Sequence, residues 1–140
     1  MGTVSAAHST PVGEPARASS ITILLRLEGL AAALLTATLY ARTGASWLLF
    51  AALWIVPDLG LLGYLASPCR GARTYNALHT YLLPGLLALV GLLTHAQGPL
   101  VPIALIWANH IGIDRMLGYG LKYAEGFRFT HLGRIGNHGP

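Results

Sequence analysis

Four long apolar stretches dominate this 140-residue sequence and leave few folds open to it. They run over residues 21–41, 47–66, 73–95 and 98–118. Each is close to the ~20 residues that an α-helix needs to cross a bilayer core of ~30 Å. Strands are excluded because backbone groups in lipid need internal partners and no alternating pattern indicates a barrel. The sequence therefore predicts four transmembrane helices.

The short connections between these stretches define the predicted architecture. Residues 42–46, 67–72 and 96–97 are too few to let neighbouring helices run parallel, so we expect an all-α, up-down-up-down bundle of antiparallel helices over residues 21–120. Residues 1–20 are rich in Ser, Ala, Pro and Gly, which predicts a disordered tail. Residues 121–140 form a short C-terminal tail.

Composition supports a multi-pass membrane protein whose partner is the lipid bilayer. The chain is 54% hydrophobic and only 10% charged, which leaves too few polar side chains to cover a soluble domain. The basic residues form no run and have no aromatic interleaving, so no nucleic-acid partner is expected. A single cysteine, Cys69, excludes an intramolecular disulfide.

The distribution of basic residues predicts the orientation. With four crossings, both termini lie on one side of the membrane, and the opposite side holds only Arg42. The positive-inside rule then places both termini in the cytoplasm, and we expect a bacterial inner membrane. The basic residues on the predicted cytoplasmic side are Arg17, Arg26, Arg70, Arg73, Arg115, Lys122, Arg128 and Arg134.

Each apolar stretch carries an ionisable side chain, which is costly in hydrocarbon and rarely kept without a partner or a task. At 1.5 Å rise per residue, these side chains lie roughly 9–12 Å from the cytoplasmic helix ends, with Asp114 one turn below His110. The sequence therefore predicts one buried polar layer in the cytoplasmic half. Its members are Glu28, Asp58, His79, His110 and Asp114.

Carboxylates and imidazoles together are typical ligands of Zn, Fe or Mn, and facing helices of a bundle often supply them. We therefore predict that the polar layer is a divalent-metal site. His131 in the C-terminal tail could join the ligands if the tail folds back. Tyr75, Asn76 and Asn109 are candidates for supporting the ligands by hydrogen bonds.

Two other hypotheses for the layer remain open. One is a structural network of ion pairs that fixes helix packing, with Asp58 on Arg26, or Asp114 on Arg115 or Arg73. The other is a proton or ion pathway, since Asp, Glu and His chains inside membranes are typical of relays.

Small residues recur at every fourth position of the first stretch, which lets another helix approach closely. This stripe could serve packing within the chain or a homo-oligomer. Its members are Gly29, Ala33, Ala37 and Ala41.

Five sequence blocks resemble a bacterial membrane family catalogued as domain of unknown function 4260. They are LRLEGL (25–30), VPDLGLLGYL (56–65), YNALHTYLLP (75–84), HIGIDRMLGYGLKY (110–123) and THLGRIG (130–136). The resemblance spans residues 24–136 and implies a four-helix integral membrane protein without implying a reaction.

A weaker similarity, in the order of residues alone, is to membrane-bound metal-dependent hydrolases. These carry a Pro-Asp block, a following His and a late His-x-x-x-Asp-like segment, as do Pro57-Asp58, His79 and His110 to Asp114. The similarity implies that these ligands hold a metal that activates water against a lipid or phosphoester.

Overall fold

The computed structural model of the chain describes residues 20–94 and 98–136. Residues 1–19 of the predicted disordered tail, residue 95 at the predicted end of the third stretch and residues 137–140 lie outside the described part. The described chain is mostly helical. Its elements are α1 (Ser20–Arg42), α2 (Trp47–Trp54), a 3-10 helix (Val56–Leu65), α3 (Pro68–Leu78), α4 (Leu82–Leu93), α5 (Leu100–Leu117), β1 (Phe129–Thr130) and β2 (Gly133–Arg134).

Three helical segments of the described chain are long and apolar enough to cross a membrane: Ser20–Arg42, Trp47–Leu65 and Pro68–Leu93. Only 11–17% of the most apolar window of each is buried within the protein. Soluble proteins rarely expose so much contiguous apolar surface, so the prediction of a helical membrane protein is confirmed. By the same measure α5 is not counted as a span, and four crossings remain a prediction.

Helix α5 is the centre of the described fold and packs along α1 in the opposite direction. The Gly29 backbone lies against α5 near Gly112, where a Cβ on either glycine would come within 2.8 Å of the other's carbonyl oxygen. Ala33, one turn along α1, also contacts Gly112. Gly29 and Ala33 are therefore used in packing within the chain, which leaves only Ala37 and Ala41 of the small-residue stripe for a homo-oligomer.

The second predicted helix is interrupted, with α2 ending at Trp54 and a 3-10 helix beginning at Val56. Pro57 has no N–H to donate to the Leu53 carbonyl, so the α-helical ladder cannot continue there. A 3-10 helix of 10 residues is unusually long. The interruption places Asp58 in the first turn of the new helix.

The third predicted helix is also two helices, and it begins earlier than predicted. Ser67 accepts a hydrogen bond from the Arg70 N–H and Pro68 occupies the first turn, which together start α3 at residue 68 rather than 73. Helix α3 ends at Leu78 and α4 begins at Leu82. Pro84 cannot donate to the Thr80 carbonyl, so α3 cannot run through this region. His79 stands at the interruption.

Glycines let α3 approach the 3-10 helix closely. A Cβ on Gly60 would lie 3.0 Å from the Thr74 carbonyl oxygen, and one on Gly63 would overlap the Thr74 hydroxyl. That hydroxyl donates a hydrogen bond of 2.6 Å to the Gly60 carbonyl. The packing brings Asp58, just before Gly60, beside the end of α3.

The C-terminal segment folds back onto α3. Asn76 donates a hydrogen bond to the Lys122 carbonyl at 2.8 Å and accepts one from the Lys122 N–H at 2.7 Å. Beyond this contact, β1 and β2 form a short antiparallel hairpin. The segment therefore lies beside the polar residues of the bundle.

Candidate metal centre

Four side chains of the predicted layer converge: Asp58, His79, His110 and Asp114. One possible ligand atom from each lies within 4.8 Å of the other three. The histidine Nε2 atoms are 3.1 Å apart, and Asp58 Oδ1 is 3.5 Å from each of them. Asp114 Oδ2 lies 3.4 Å from His79 Nε2 and 3.9 Å from His110 Nε2.

These five distances, 3.1–3.9 Å, are close to those of a tetrahedral ligand set, and the sixth, between the two carboxylates, is within 4.8 Å. Nitrogen and oxygen ligands about 2.0–2.1 Å from a central ion are about 3.3–3.4 Å from one another. Small side-chain movements would therefore let the four atoms of this cluster bind one ion. We refer to Asp58, His79, His110 and Asp114 below as the His/Asp cluster.

His79 is oriented by its own helix. Its Nδ1 lies 2.9 Å from the Tyr75 carbonyl oxygen, which can only accept a hydrogen bond. The ring proton therefore stays on Nδ1, and the Nε2 lone pair points into the cluster. A histidine that binds a metal is commonly held in this way by a backbone carbonyl.

His110 is the most buried member of the cluster, with a side chain only 1% exposed. Its Nδ1 is buried and has no hydrogen-bond partner among the described residues. If Nε2 binds a metal, the proton on Nδ1 is donated to no described residue. The edge of Trp54 packs against the ring, with centroids 4.7 Å apart, and fixes its position.

The carboxylates form the open side of the cluster. The Asp58 side chain is 35% exposed and that of Asp114 is 14% exposed, against 1–2% for the two histidines. The Tyr75 hydroxyl donates a hydrogen bond of 2.7 Å to Asp114 Oδ2, and the Tyr75 ring stacks on His79 with centroids 3.6 Å apart. Tyr75 thus contacts one carboxylate and one imidazole of the cluster.

The cluster has a charge of −2 when both carboxylates are ionised and the histidines are neutral. No lysine or arginine of the described residues forms a salt bridge with Asp58 or Asp114. Arg26 instead donates to the Met116 and Leu117 carbonyls, and Arg115 lies over the Tyr81 ring. The structure therefore shows none of the predicted Asp–Arg ion pairs among the described residues, because Arg26 and Arg115 are held elsewhere and Arg73 is exposed.

A groove of about 540 Å³ opens beside the two carboxylates. Asp58 and Asp114 line it, together with the Tyr75 ring. Its remaining walls are Ile55 and Leu61 from the second apolar segment and Tyr119, Phe127 and Ile135 from the C-terminal segment.

Lys122 lies behind the aromatic wall of this groove. Its side chain is almost fully buried, and its Nζ has no hydrogen-bond partner among the described residues. The ammonium lies 4.3 Å from the Phe127 ring centroid, 4.8 Å from that of Tyr75 and 5.5 Å from that of Tyr119. Burial lowers the pKa of Lys122 from 10.5 to about 8, while the Asp114 carboxylate acts in the opposite direction.

Glu28 and His131 do not join the cluster. Glu28 is exposed on α1, although its neighbour Gly29 touches α5 near the height of Asp114. The helix turns by about 100° per residue, so the carboxylate faces away from the bundle. His131 is exposed, and its Nδ1 accepts a hydrogen bond from the Leu121 N–H at 2.9 Å. Burial of the ring and nearby Arg115 lower the pKa of His131.

The two predicted asparagines hold other parts of the fold together. Asn76 pairs with the Lys122 backbone, as described above, and therefore positions the C-terminal segment. Asn109 donates to the Ala33 carbonyl and accepts a hydrogen bond of 3.1 Å from Trp54 Nε1. Asn109 acts on the cluster through Trp54, which packs on His110.

Trp54 and Lys122 are contributors to this region that the sequence did not reveal. Trp54 lies in the second apolar stretch, and nothing in the pattern distinguishes it from a lipid-facing tryptophan. Lys122 stands eight residues after Asp114 in a glycine-containing segment. Only the contact with Asn76, far away in sequence, brings it back to the groove.

The family model for a domain of unknown function, DUF4260, matches residues 22–135 of the chain. The chain belongs to this family. The match covers every described helix except the first residues of α1, and it includes all four cluster residues of this DUF4260 protein. No curated protein and no solved structure matches the chain.

Proposed function

We propose that this DUF4260 protein is a membrane metalloprotein that binds one divalent ion, Zn, Fe or Mn, in the His/Asp cluster. The observation that carries the proposal is the arrangement of four ligand atoms at close to tetrahedral spacing around a charge of −2. A divalent cation would neutralise that charge, which no described lysine or arginine does by a salt bridge. Two imidazoles and two carboxylates without a thiolate suit these metals.

The proposal includes the four-crossing topology in a bacterial cytoplasmic membrane. Supporting it, Arg26 near the start of α1 contacts the Met116 and Leu117 carbonyls at the end of α5. The two helices are antiparallel, so the start of α1 and the end of α5 lie at the same end of the bundle. Under the positive-inside rule that end faces the cytoplasm, and the His/Asp cluster lies in the cytoplasmic half.

The partly exposed carboxylate side leaves room for a catalytic role beside a structural one. Catalytic sites keep a position for water or substrate, and here that would be an additional position beyond the four cluster atoms. A divalent metal supplies an activated water near neutral pH. We propose hydrolysis of an ester or phosphoester: the water oxygen bonds to the carbonyl carbon or phosphorus, the bond from that atom to the ester oxygen breaks, and the leaving oxygen takes the proton that the water loses. Tyr75 would hold Asp114 and His79 in place.

Elemental analysis of protein purified in detergent tests the metal proposal. We expect about one Zn, Fe or Mn per chain, and loss of the metal when His79 and His110 are both changed to Ala. Matched controls are His131→Ala and Glu28→Gln, which should keep the metal because neither residue reaches the cluster. Metal-free wild-type protein that stays folded after incubation with each of the three ions would contradict the proposal.

The hypothesis of a structural network keeps one observation in its favour, because the same four residues join the 3-10 helix, α3 and α5 by His–Asp contacts. Under this hypothesis Asp58→Asn lowers the thermal stability of metal-free protein. Under the metal proposal the same change lowers metal affinity, and it stabilises the metal-free cluster by removing one of two neighbouring negative charges.

A further inference from the structure

The groove beside the His/Asp cluster connects two surfaces of different character. Asp58 and Asp114 line it. Ile55 lines it as well and is 63% exposed in a segment apolar enough to cross a membrane. A molecule that fills the groove would therefore touch the polar cluster and the lipid-facing surface at once. An amphiphile within the bilayer has this division into polar and apolar parts.

Behind the aromatic wall of the groove lies Lys122, whose ammonium forms no hydrogen bond with a described residue and has Asp114 as a nearby opposite charge. Lys122 Nζ is buried among three rings that all line the groove, and no described residue accepts a hydrogen bond from it. Placing an ammonium in such a site is costly unless a partner compensates. An anionic group in the groove would be that partner.

The positions of the rings show how the anion would reach Lys122. His79 stacks on one face of Tyr75, so the ammonium lies over the other face. Lys122 does not line the groove itself, so a headgroup bound at the carboxylates would reach it past these rings. Tyr119 and Phe127 are 39% and 40% exposed, and a rotamer change of either ring would admit it.

We propose that the groove is a lateral entrance for a phosphate-bearing membrane lipid. Its phosphate oxygens would be shared between the metal at the His/Asp cluster and Lys122, and its chains would lie along Ile55 and Leu61. Phosphate suits this site because its oxygens can bind a metal and an ammonium together. The inference rests on the proposed metal centre and names the substrate class of that centre.

The test uses Mn²⁺-loaded protein in a phosphate-free maltoside detergent, after removal of unbound metal. Mn²⁺ broadens the ³¹P signal of a phosphate that binds close to it. The two probes are dihexanoyl phosphatidic acid and glycerol 3-phosphate, which share the phosphate and differ in the chains. We expect the lipid to bind at least about tenfold more tightly than glycerol 3-phosphate. Equal binding of the two probes would overturn the lipid source.

Two pairs of variants test the two walls. Lys122→Met keeps the aliphatic stem and removes the charge, and we expect about tenfold weaker lipid binding with unchanged metal content. Its control, Arg73→Gln, removes an exposed charge outside the groove and should change nothing. Ile55→Trp should obstruct the entrance, whereas Leu59→Trp alters an exposed residue of the same segment that does not line the groove.

Metal content measured on the same samples separates the two proposals. If the protein carries a full complement of metal but the ³¹P signal of the lipid is not broadened, the lipid inference is overturned and the metal centre stands. The same follows if both Lys122→Met and Ile55→Trp leave lipid binding unchanged. Absence of metal from wild-type protein rejects the metal centre, and the lipid inference with it.

Discussion

Tyr75 touches both kinds of ligand in the His/Asp cluster without offering a ligand atom of its own. Its hydroxyl holds Asp114 Oδ2 at 2.7 Å, and its ring covers one face of His79. Residues that orient metal ligands commonly change metal affinity when they are lost. Tyr75 should therefore affect metal affinity in two ways: its hydroxyl orients Asp114, and its ring positions His79.

Tyr75→Phe removes the hydroxyl group and keeps the ring. We expect metal affinity to fall about tenfold, because Asp114 loses the donor that fixes its carboxylate. Competition with a fluorescent chelator measures the change. Tyr119→Phe is the matched control, since Tyr119 lines the same groove but its hydroxyl makes no hydrogen bond with another described residue. Equal losses in the two variants would show that the Asp114 contact is unimportant for binding.

The residue scale also shows where sequence reasoning stops. Asp58, His79, His110 and Asp114 were predictable, because an ionisable group in an apolar stretch is conspicuous and its depth follows from counting. The orientation of Glu28 was not. Helix α1 has apolar side chains on all sides, with Leu24, Leu27, Leu34 and Leu35 exposed, so no polar face indicates which side packs inward.

At the scale of the element, breaks in two of the predicted helices bring the cluster residues together. The segment that holds Asp58 leaves α-helical geometry at Ile55, and the segment that holds His79 leaves it at His79 itself. Irregular backbone at membrane depth is tolerated where it is buried in protein or lines a cavity. Pro57 and Pro84 each lack the N–H that would continue the α-helical ladder near the polar layer. The ten-residue 3-10 helix depends on packing against α3 and could not be read from the sequence.

The close contact of α1 and α5 depends on glycine at its narrowest point. Gly112→Ala would place a methyl group 2.8 Å from the Gly29 carbonyl oxygen and 2.9 Å from the Ala33 nitrogen. Backbone atoms cannot change rotamer to make room for the methyl group, so α1 and α5 must move apart. We expect a loss of about 1–3 kcal/mol in the free energy of unfolding.

Gly85→Ala in α4 is the matched control for this change, because a Cβ there meets no atom within 4 Å. Alanine favours helix more than glycine does, so the control should be neutral or more stable by up to about 1 kcal/mol. Unfolding of metal-free protein in mixed micelles measures both variants and keeps metal binding out of the comparison. Equal stabilities would contradict the close α1–α5 contact.

At the scale of the whole molecule, the exposed apolar surface bears on insertion into a membrane, whereas the distribution of basic residues bears on orientation. The surface establishes a membrane protein, and the sequence predicted it from length and composition. The number of crossings depends on α5, which carries Asn109, His110, Asp114 and Arg115 within 18 residues. Its apolar character is diluted by the same residues that make it the centre of the cluster. Its direction, opposite to α1, is what supports a fourth crossing.

Thiol labelling distinguishes the two sides of the proposed topology. Cys69, a partly exposed free cysteine at the start of α3, should lie on the cytoplasmic side. Ala45, between α1 and α2, should lie on the opposite side. A membrane-impermeant maleimide should therefore label Cys69 in inverted membrane vesicles and spare it in intact spheroplasts. Ala45→Cys in a Cys69→Ser background should show the reverse pattern. Detergent-solubilised samples, in which both thiols should react, control for reactivity. Labelling of both positions from one side would contradict an α1–α2 hairpin that crosses the membrane twice.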